Sequence, residues 1–245
     1  KGVEQSLTHK EIGARELGYT FTDKAELLGA LLHSGNESNL SKLLRGRGWG
    51  SFMETDAGPV LDRSRWDAFI ARAQSEGILT KADYDYAQSV WSLLEEMKPR
   101  AQKIHKEMYG FYFGEITAKE IETPWGKYKG GYVPAVADTF MAADAAIRQE
   151  REQMENGNNS FMFPTAGRGF TKGRVERYAA PLVMDVRFIP GHIDKVLRFI
   201  HIEPRVKDIA RIVMDRGFRK TLDGFDQTVG GDMLIPWLQR SAQQR

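Results

Sequence analysis

Apolar positions recur along most of the chain at the i, i+3, i+4, i+7 spacing of a helix that buries one stripe. Thr22 starts a helix carrying Leu27, Leu28, Leu31 and Leu32, and the polar run 34–39 ends it. Residues 8–17 read as an earlier helix, with Thr8 and Glu11 in capping-box spacing. A short helix is expected over 40–45. An amphipathic one is expected over 61–74, where Trp66, Phe69, Ile70 and Ala73 share a stripe and Gly77 sits where a C-cap belongs. Thr80 opens the longest helix, in which Val90, Leu93, Leu94, Met97, Ala101, Ile104 and Met108 keep the period through Pro99. That proline removes one backbone donor, so it should kink the helix or break it in two. Farther on, Pro190 and Gly191 precede a helix with Ile193, Val196, Leu197 and Ile200, and Pro204 opens another with Val206, Ile209, Ala210 and Val213. A final segment carries Val229, Met233, Leu234, Trp237 and Leu238.

One stretch, 115–138, breaks the helical pattern. Ile121 and Thr123 lead into Pro124-Trp125-Gly126-Lys127, and Tyr128 to Val133 lead out again, so a proline and a glycine supply the turn between two short β-prone arms. The expected fold is therefore mainly α, a multi-helix domain or domains with one small β-hairpin near the middle. The expected division runs from an N-terminal helical region, 1–155, ending in the hairpin (about 115–134) and a helix of small residues from Asp138, through a flexible basic loop, 156–177, to a C-terminal helical region, 178–245.

Composition narrows the classes of function. Over 245 residues the chain is 41% hydrophobic and 28% charged, and no apolar run approaches the roughly 18 to 20 residues of a membrane span. Cations exceed anions by two, so the whole chain is no polycation, although a pI near 8.7 leaves room for a local basic face. The absence of cysteine excludes a disulfide scaffold, thiolate zinc sites and cysteine nucleophiles together. The chain starts at Lys1 with no signal-like apolar segment after it, and is expected to be a piece of a longer polypeptide.

Candidate chemistry is sparse. The run Ala166-Gly167-Arg168-Gly169-Phe170-Thr171-Lys172-Gly173 lacks the spacing of a nucleotide-binding phosphate loop. Arg168, Lys172, Arg174 and Arg177, with Phe163 and Phe170 interleaved, could contact phosphates, or could be a solvated basic loop, which is preferred. Arg45, Arg47 and Trp49 have the same pair of readings: a basic, stacking contact to a nucleic acid strand, or a tryptophan plugging the edge of a core, again preferred. Trp125 and Tyr132 either dock the hairpin onto helices, which is preferred, or present aromatics to a partner. His192 and His201, nine residues apart, fall on opposite sides of one helix and would not share a metal ion, even with Glu203 near. Neighbouring acids such as Asp83 and Asp85 do not converge, and no nucleophile elbow is present. The expectation is no enzyme, no cofactor and no metal.

The order of features from Gly130-Gly131-Tyr132-Val133-Pro134, through His192-Ile193-Asp194-Lys195-Val196-Leu197-Arg198-Phe199-Ile200-His201 and Lys207-Asp208-Ile209-Ala210-Arg211, to Gly231-Asp232-Met233-Leu234-Ile235-Pro236-Trp237-Leu238 resembles helical regions of the large polyvalent proteins of bacteriophages and mobile elements. The resemblance covers roughly the second half. It implies a non-catalytic helical module of a virion or genome-ejection protein, with other virion or ejection proteins as partners; DNA as an alternative partner is read from the basic residues above. It also implies location in the virion and then in the host cell after ejection. It transfers no catalytic residue.

Overall fold

The structure, a computed structural model, describes residues 10–56, 58–138 and 181–218, with 220, 221 and 224. Those residues are mainly α, but they carry three antiparallel hairpins rather than one. In chain order they form β1 (Ile12–Ala14), β2 (Tyr19–Phe21), α1 (Lys24–His33), α2 (Glu37–Gly46), β3 (Phe52–Thr55), β4 (Gly58–Leu61), α3 (Ser64–Ser75), α4 (Lys81–Tyr109), β5 (Ile121–Thr123), β6 (Gly126–Tyr128), α5 (Phe188–His201) and α6 (Glu203–Met214). The helix of small residues after Asp138, the basic loop at 156–177 and the segment of Val229 to Leu238 lie outside the described residues.

The first correction falls at 8–17, where helix was expected. Ile12 pairs with Phe21 and Ala14 with Tyr19, and Gly18 makes the turn with φ +64°. Local spacing favoured a helix, but Phe21 stacks on Phe69 with ring centroids 5.6 Å apart, and burying that aromatic on α3 requires an extended chain. The second correction is β3–β4, a hairpin in a stretch for which no element was expected; its last residue, Leu61, was expected to begin the helix that starts at Ser64. The expected hairpin at β5–β6 is present, with Thr123 paired to Gly126 and Ile121 to Tyr128.

Helix starts follow their polar caps. Asp23 accepts from the Glu26 amide at 2.8 Å and Asn36 from the Asn39 amide at 2.9 Å, so α1 is capped by Asp23 and begins two residues after Thr22, and α2 begins inside the polar run. Thr80 donates its amide and hydroxyl to Asp83 at 2.7 and 2.8 Å and opens α4, which continues through Pro99.

The chain divides into two compact units. The first has its described residues within Lys1–Pro99, Phe113–Ala146 and Gly169–Ile193, and the second within Arg100–Tyr112, Ile147–Arg168 and Asp194–Arg245. The first unit holds an extended core on Leu27, Leu31, Leu43, Trp66, Phe69 and Trp91. A buried ion pair fastens α1 to α4 within it, Lys24 Nζ to Asp83 at 2.8 Å, and Lys24 also donates to the Ile78 carbonyl. In the second unit, Ala101 and His105 of α4 and Val196, Phe199 and Ile200 of α5 are buried, with the His105 and Phe199 rings 6.4 Å apart.

Candidate functional site

The Gly130-Gly131-Tyr132-Val133-Pro134 motif is a packing device. Gly131 lies so close to Trp91 that a Cβ would fall 2.6 Å from the Trp91 Cβ, and one on Gly35 would fall 2.4 Å from the indole. Trp91 is thus held against two glycine backbones, and its Nε1 donates to the Leu32 carbonyl at 3.0 Å. Gly130 has φ +70°, and a Cβ there would meet the Lys119 carbonyl at 2.2 Å. The Gly35 carbonyl accepts from the amides of both Lys119 and Gly131 at 2.9 Å.

Polar side chains of α1 and α2 complete this arrangement. Asn36 donates to the Gly131 carbonyl at 3.1 Å. Asn39 donates to the Val133 carbonyl at 2.8 Å and to Nδ1 of His33 at 3.3 Å, and His33 Nε2 faces the Val183 carbonyl at 2.9 Å. A carbonyl only accepts, so His33 carries a proton on Nε2. Both ring nitrogens of His33 are thus engaged within the fold.

Arg47 belongs to the same lattice. Its guanidinium donates to Asp138 at 3.0 Å and to the Leu182 carbonyl at 2.9 Å, with only 5% of the side chain exposed. Asp138 in turn donates its amide to the Pro181 carbonyl at 2.8 Å, and Ala137 bridges Leu182. Arg47 therefore pins the two places where the chain leaves for, and returns from, residues 139–180. Trp49 is buried among Tyr19, Phe21 and Trp66, and its amide donates to the Leu44 carbonyl at 2.7 Å. The stretch 46–50 is a packed corner.

Of the residues singled out from the sequence, Arg45 lies partly buried with its guanidinium 5.1 Å from the Phe52 ring centroid, whereas Arg47 points inward, so the two do not converge. Arg168, Lys172, Arg174 and Arg177 lie outside the described residues. Trp125 is 37% exposed with its ring 5.8 Å from Tyr84, while Tyr132 packs on the core, 6.0 Å from the His192 ring. Among the described residues no three His, Asp or Glu side chains gather as metal ligands.

Two surfaces that sequence reading missed stand out in the first unit. The β3–β4 hairpin projects apolar groups into solvent: Phe52, Met53 and Val60 are 47%, 49% and 49% exposed, and Met53 faces Val60 directly across the ladder. Its legible signal was the Asp-x-Gly turn. The other is a cleft of about 310 Å³ between α3 and β5, floored by Leu31, Leu40, Trp66 and Ile70. Its rim carries the Arg63–Asp67 ion pair at 2.7 Å and Lys119, which pairs with Glu37. Tyr84 lines it too, accepting from Gln74 at 2.8 Å, and burial pushes its hydroxyl up to about 12.

Comparison with protein-family models, with known proteins and with solved structures gives no match. Among the described residues no helix is long and apolar enough to cross a membrane.

Proposed function

We propose that this chain is a non-catalytic interaction module of a large phage virion or genome-ejection protein, which binds neighbouring proteins of that assembly. The observation that carries the interaction reading is the β3–β4 hairpin, where Met53 and Val60, paired across the ladder, are about half exposed on one face and Phe52 is exposed on the other, in an element whose described residues contribute only Leu61 to the core. Apolar and aromatic anchors of this type supply most of the energy of protein interfaces. The virion setting rests on the resemblance alone. The polar groups of the first unit described above are engaged in holding backbone, which suits a scaffold better than a reaction site.

The test has two arms. Mass spectrometry of purified particles should find peptides of this chain, and the wild-type chain should be retained by immobilised virion proteins. A variant with Phe52→Ser, Met53→Ser and Val60→Thr should keep its circular dichroism and lose that retention. A chain missing from particles overturns the virion setting, and full retention of the variant overturns the hairpin as the contact.

A second reading, nucleic-acid binding in support of an enzyme such as a virion RNA polymerase elsewhere in the same long chain, is favoured by Arg45 lying over the exposed Phe52 ring. A cation beside an open aromatic face is what a single strand uses. Against it, exposed cations such as Arg63, Lys81, Arg187 and Arg198 are each matched by a carboxylate. Binding to single-stranded and duplex DNA across a salt series decides: a linear fall of log affinity with log salt supports it, and no binding at low salt removes it.

A further inference from the structure

We infer that the second compact unit binds single-stranded nucleic acid, whose bases stack on Phe111 and Tyr112 and whose phosphates meet Lys106, Lys207 and Arg211. The surface belongs to that unit alone and is separate from the β3–β4 hairpin. The inference goes beyond the interaction reading and does not need the virion setting.

Charge points to an anionic partner. Of the chain's 35 lysines and arginines and 33 acids, the second unit holds sixteen and eleven, which leaves nineteen and twenty-two to the first. The near-neutral chain thus divides into a basic unit and an acidic one. Among the described residues of the second unit, only Lys103 and Arg198 pair with a carboxylate. Neighbouring acids do not cancel the excess at Lys106, Lys207 and Arg211, since Glu107 is taken by Lys103 and Glu203 is buried. Burial holds the Lys207 ammonium below the ordinary lysine range, and the Arg211 charge lowers it further, by more than Asp208 restores. Two like charges crowded in this way are stabilised by a phosphate between them.

Aromatic geometry narrows the anion to one with accessible bases. Gly110, at φ +88°, turns the chain at the end of α4, and Phe111 and Tyr112 follow it at 62% and 58% exposure. His105 fixes the first of them, donating from Nδ1 to the Phe111 carbonyl at 2.7 Å, with the two rings edge to face and 4.9 Å apart. Lys106 stands over the Tyr112 ring, its Nζ 4.5 Å from the centroid. Lys207 reaches from α6 to the Met108 carbonyl, with its Nζ 5.5 Å from the Tyr109 centroid. Ammonium groups are therefore held beside exposed aromatic rings. A single strand brings a stackable base and a phosphate with every nucleotide, and so answers both. A duplex keeps its bases inside, and carboxylates alone offer charge without a planar face.

The probes are fluorescein-labelled oligothymidylate and oligouridylate of about 15 nucleotides, titrated with the whole chain and followed by anisotropy across a salt series. The expected result is saturable binding of at least one strand below about 100 µM at low salt, with log affinity falling linearly on log salt at a slope of about −2 for three phosphate contacts. Lys106→Gln with Lys207→Gln and Arg211→Gln should flatten the slope and weaken binding at least about tenfold. Phe111→Ala with Tyr112→Ala should weaken it at least about tenfold and leave the slope unchanged, because stacking releases no counterions. Should the cation variant lose its circular dichroism, the aromatic variant decides alone. The chain with Phe52→Ser, Met53→Ser and Val60→Thr should bind the strand as wild type does, so failure of the hairpin contact and failure of this surface are read separately. No saturable binding of either strand at low salt, wild-type affinity in the aromatic variant, loss of binding in the hairpin variant, or equal affinity for polyglutamate each overturns the proposal.

Discussion

The two compact units use the same amphipathic helices to different depths. In the first, Leu27, Leu28, Leu31 and Leu32 of α1 are all buried, and its aromatics interlock. In the second, α6 leaves Ile209 and Ile212 more than half exposed, and Phe111 and Tyr112 are exposed as well. The periodicity that buries a stripe in α1 does not bury one in α6 among the described residues. Periodicity states which side chains could share an interface; whether a partner surface exists is a separate matter.

The sharpest way to break this comparison is to remove core from one unit and surface from the other. Phe69→Ala should lower stability by about 3–5 kcal/mol in urea unfolding, whereas Ile209→Ser should stay within about 0.5 kcal/mol. Equal losses would mean that Ile209 is covered in solution. Asp83→Ala should cost a similar 3–5 kcal/mol or so, because it strands Lys24 in the interior, and Lys24→Met with Asp83→Leu should recover much of that loss. Gly131→Ala should cost about 1–3 kcal/mol by pressing a methyl group onto Trp91, and its tryptophan fluorescence should shift. Backbone amides of α1 should exchange far more slowly than those of α6, which measures the contrast directly.

The smallest effect is a dependence on pH. The Arg72 guanidinium, 2.7 Å from Glu16, holds that carboxyl down at about 2 from an ordinary value of 4.5. A depressed carboxyl contributes stability that is fully present above about pH 4.5, and is lost as pH falls toward about 2. Glu16→Gln should flatten the acid limb of a stability–pH curve within that window, and an unchanged limb would show that the pair is fully screened by solvent.

Much of the helical framework was legible from the chain alone. Thr80 and Pro204 at helix starts, the glycine after α3 and the apolar stripes of α3, α4 and α5 are local features, and a helix is stabilised locally by its own spacing and ends; the start of α1, expected at Thr22, is capped by Asp23 instead. The β5–β6 turn was legible for the same reason. The first hairpin was not, because Ile12–Ala14 is extended only by virtue of Phe21 seated on Phe69 and Arg72 bonded to the Gly13 carbonyl and Glu16.

The candidate sites divide along the same line. That Arg45 and Arg47 are basic neighbours is plain in the sequence, yet one lies beside an exposed ring while the other pins Asp138 and Leu182 from inside. The Gly130-Gly131 pair could be noticed as a motif, but its reason, the face of Trp91 forty residues away in the chain, could not. The sequence by itself determined most helix positions, some of their ends and one turn, since those depend on neighbours within a few residues. Only the tertiary structure decided which cations are buried, which extended segments pair and which apolar groups face solvent, because each of these depends on what distant chain the fold brings alongside.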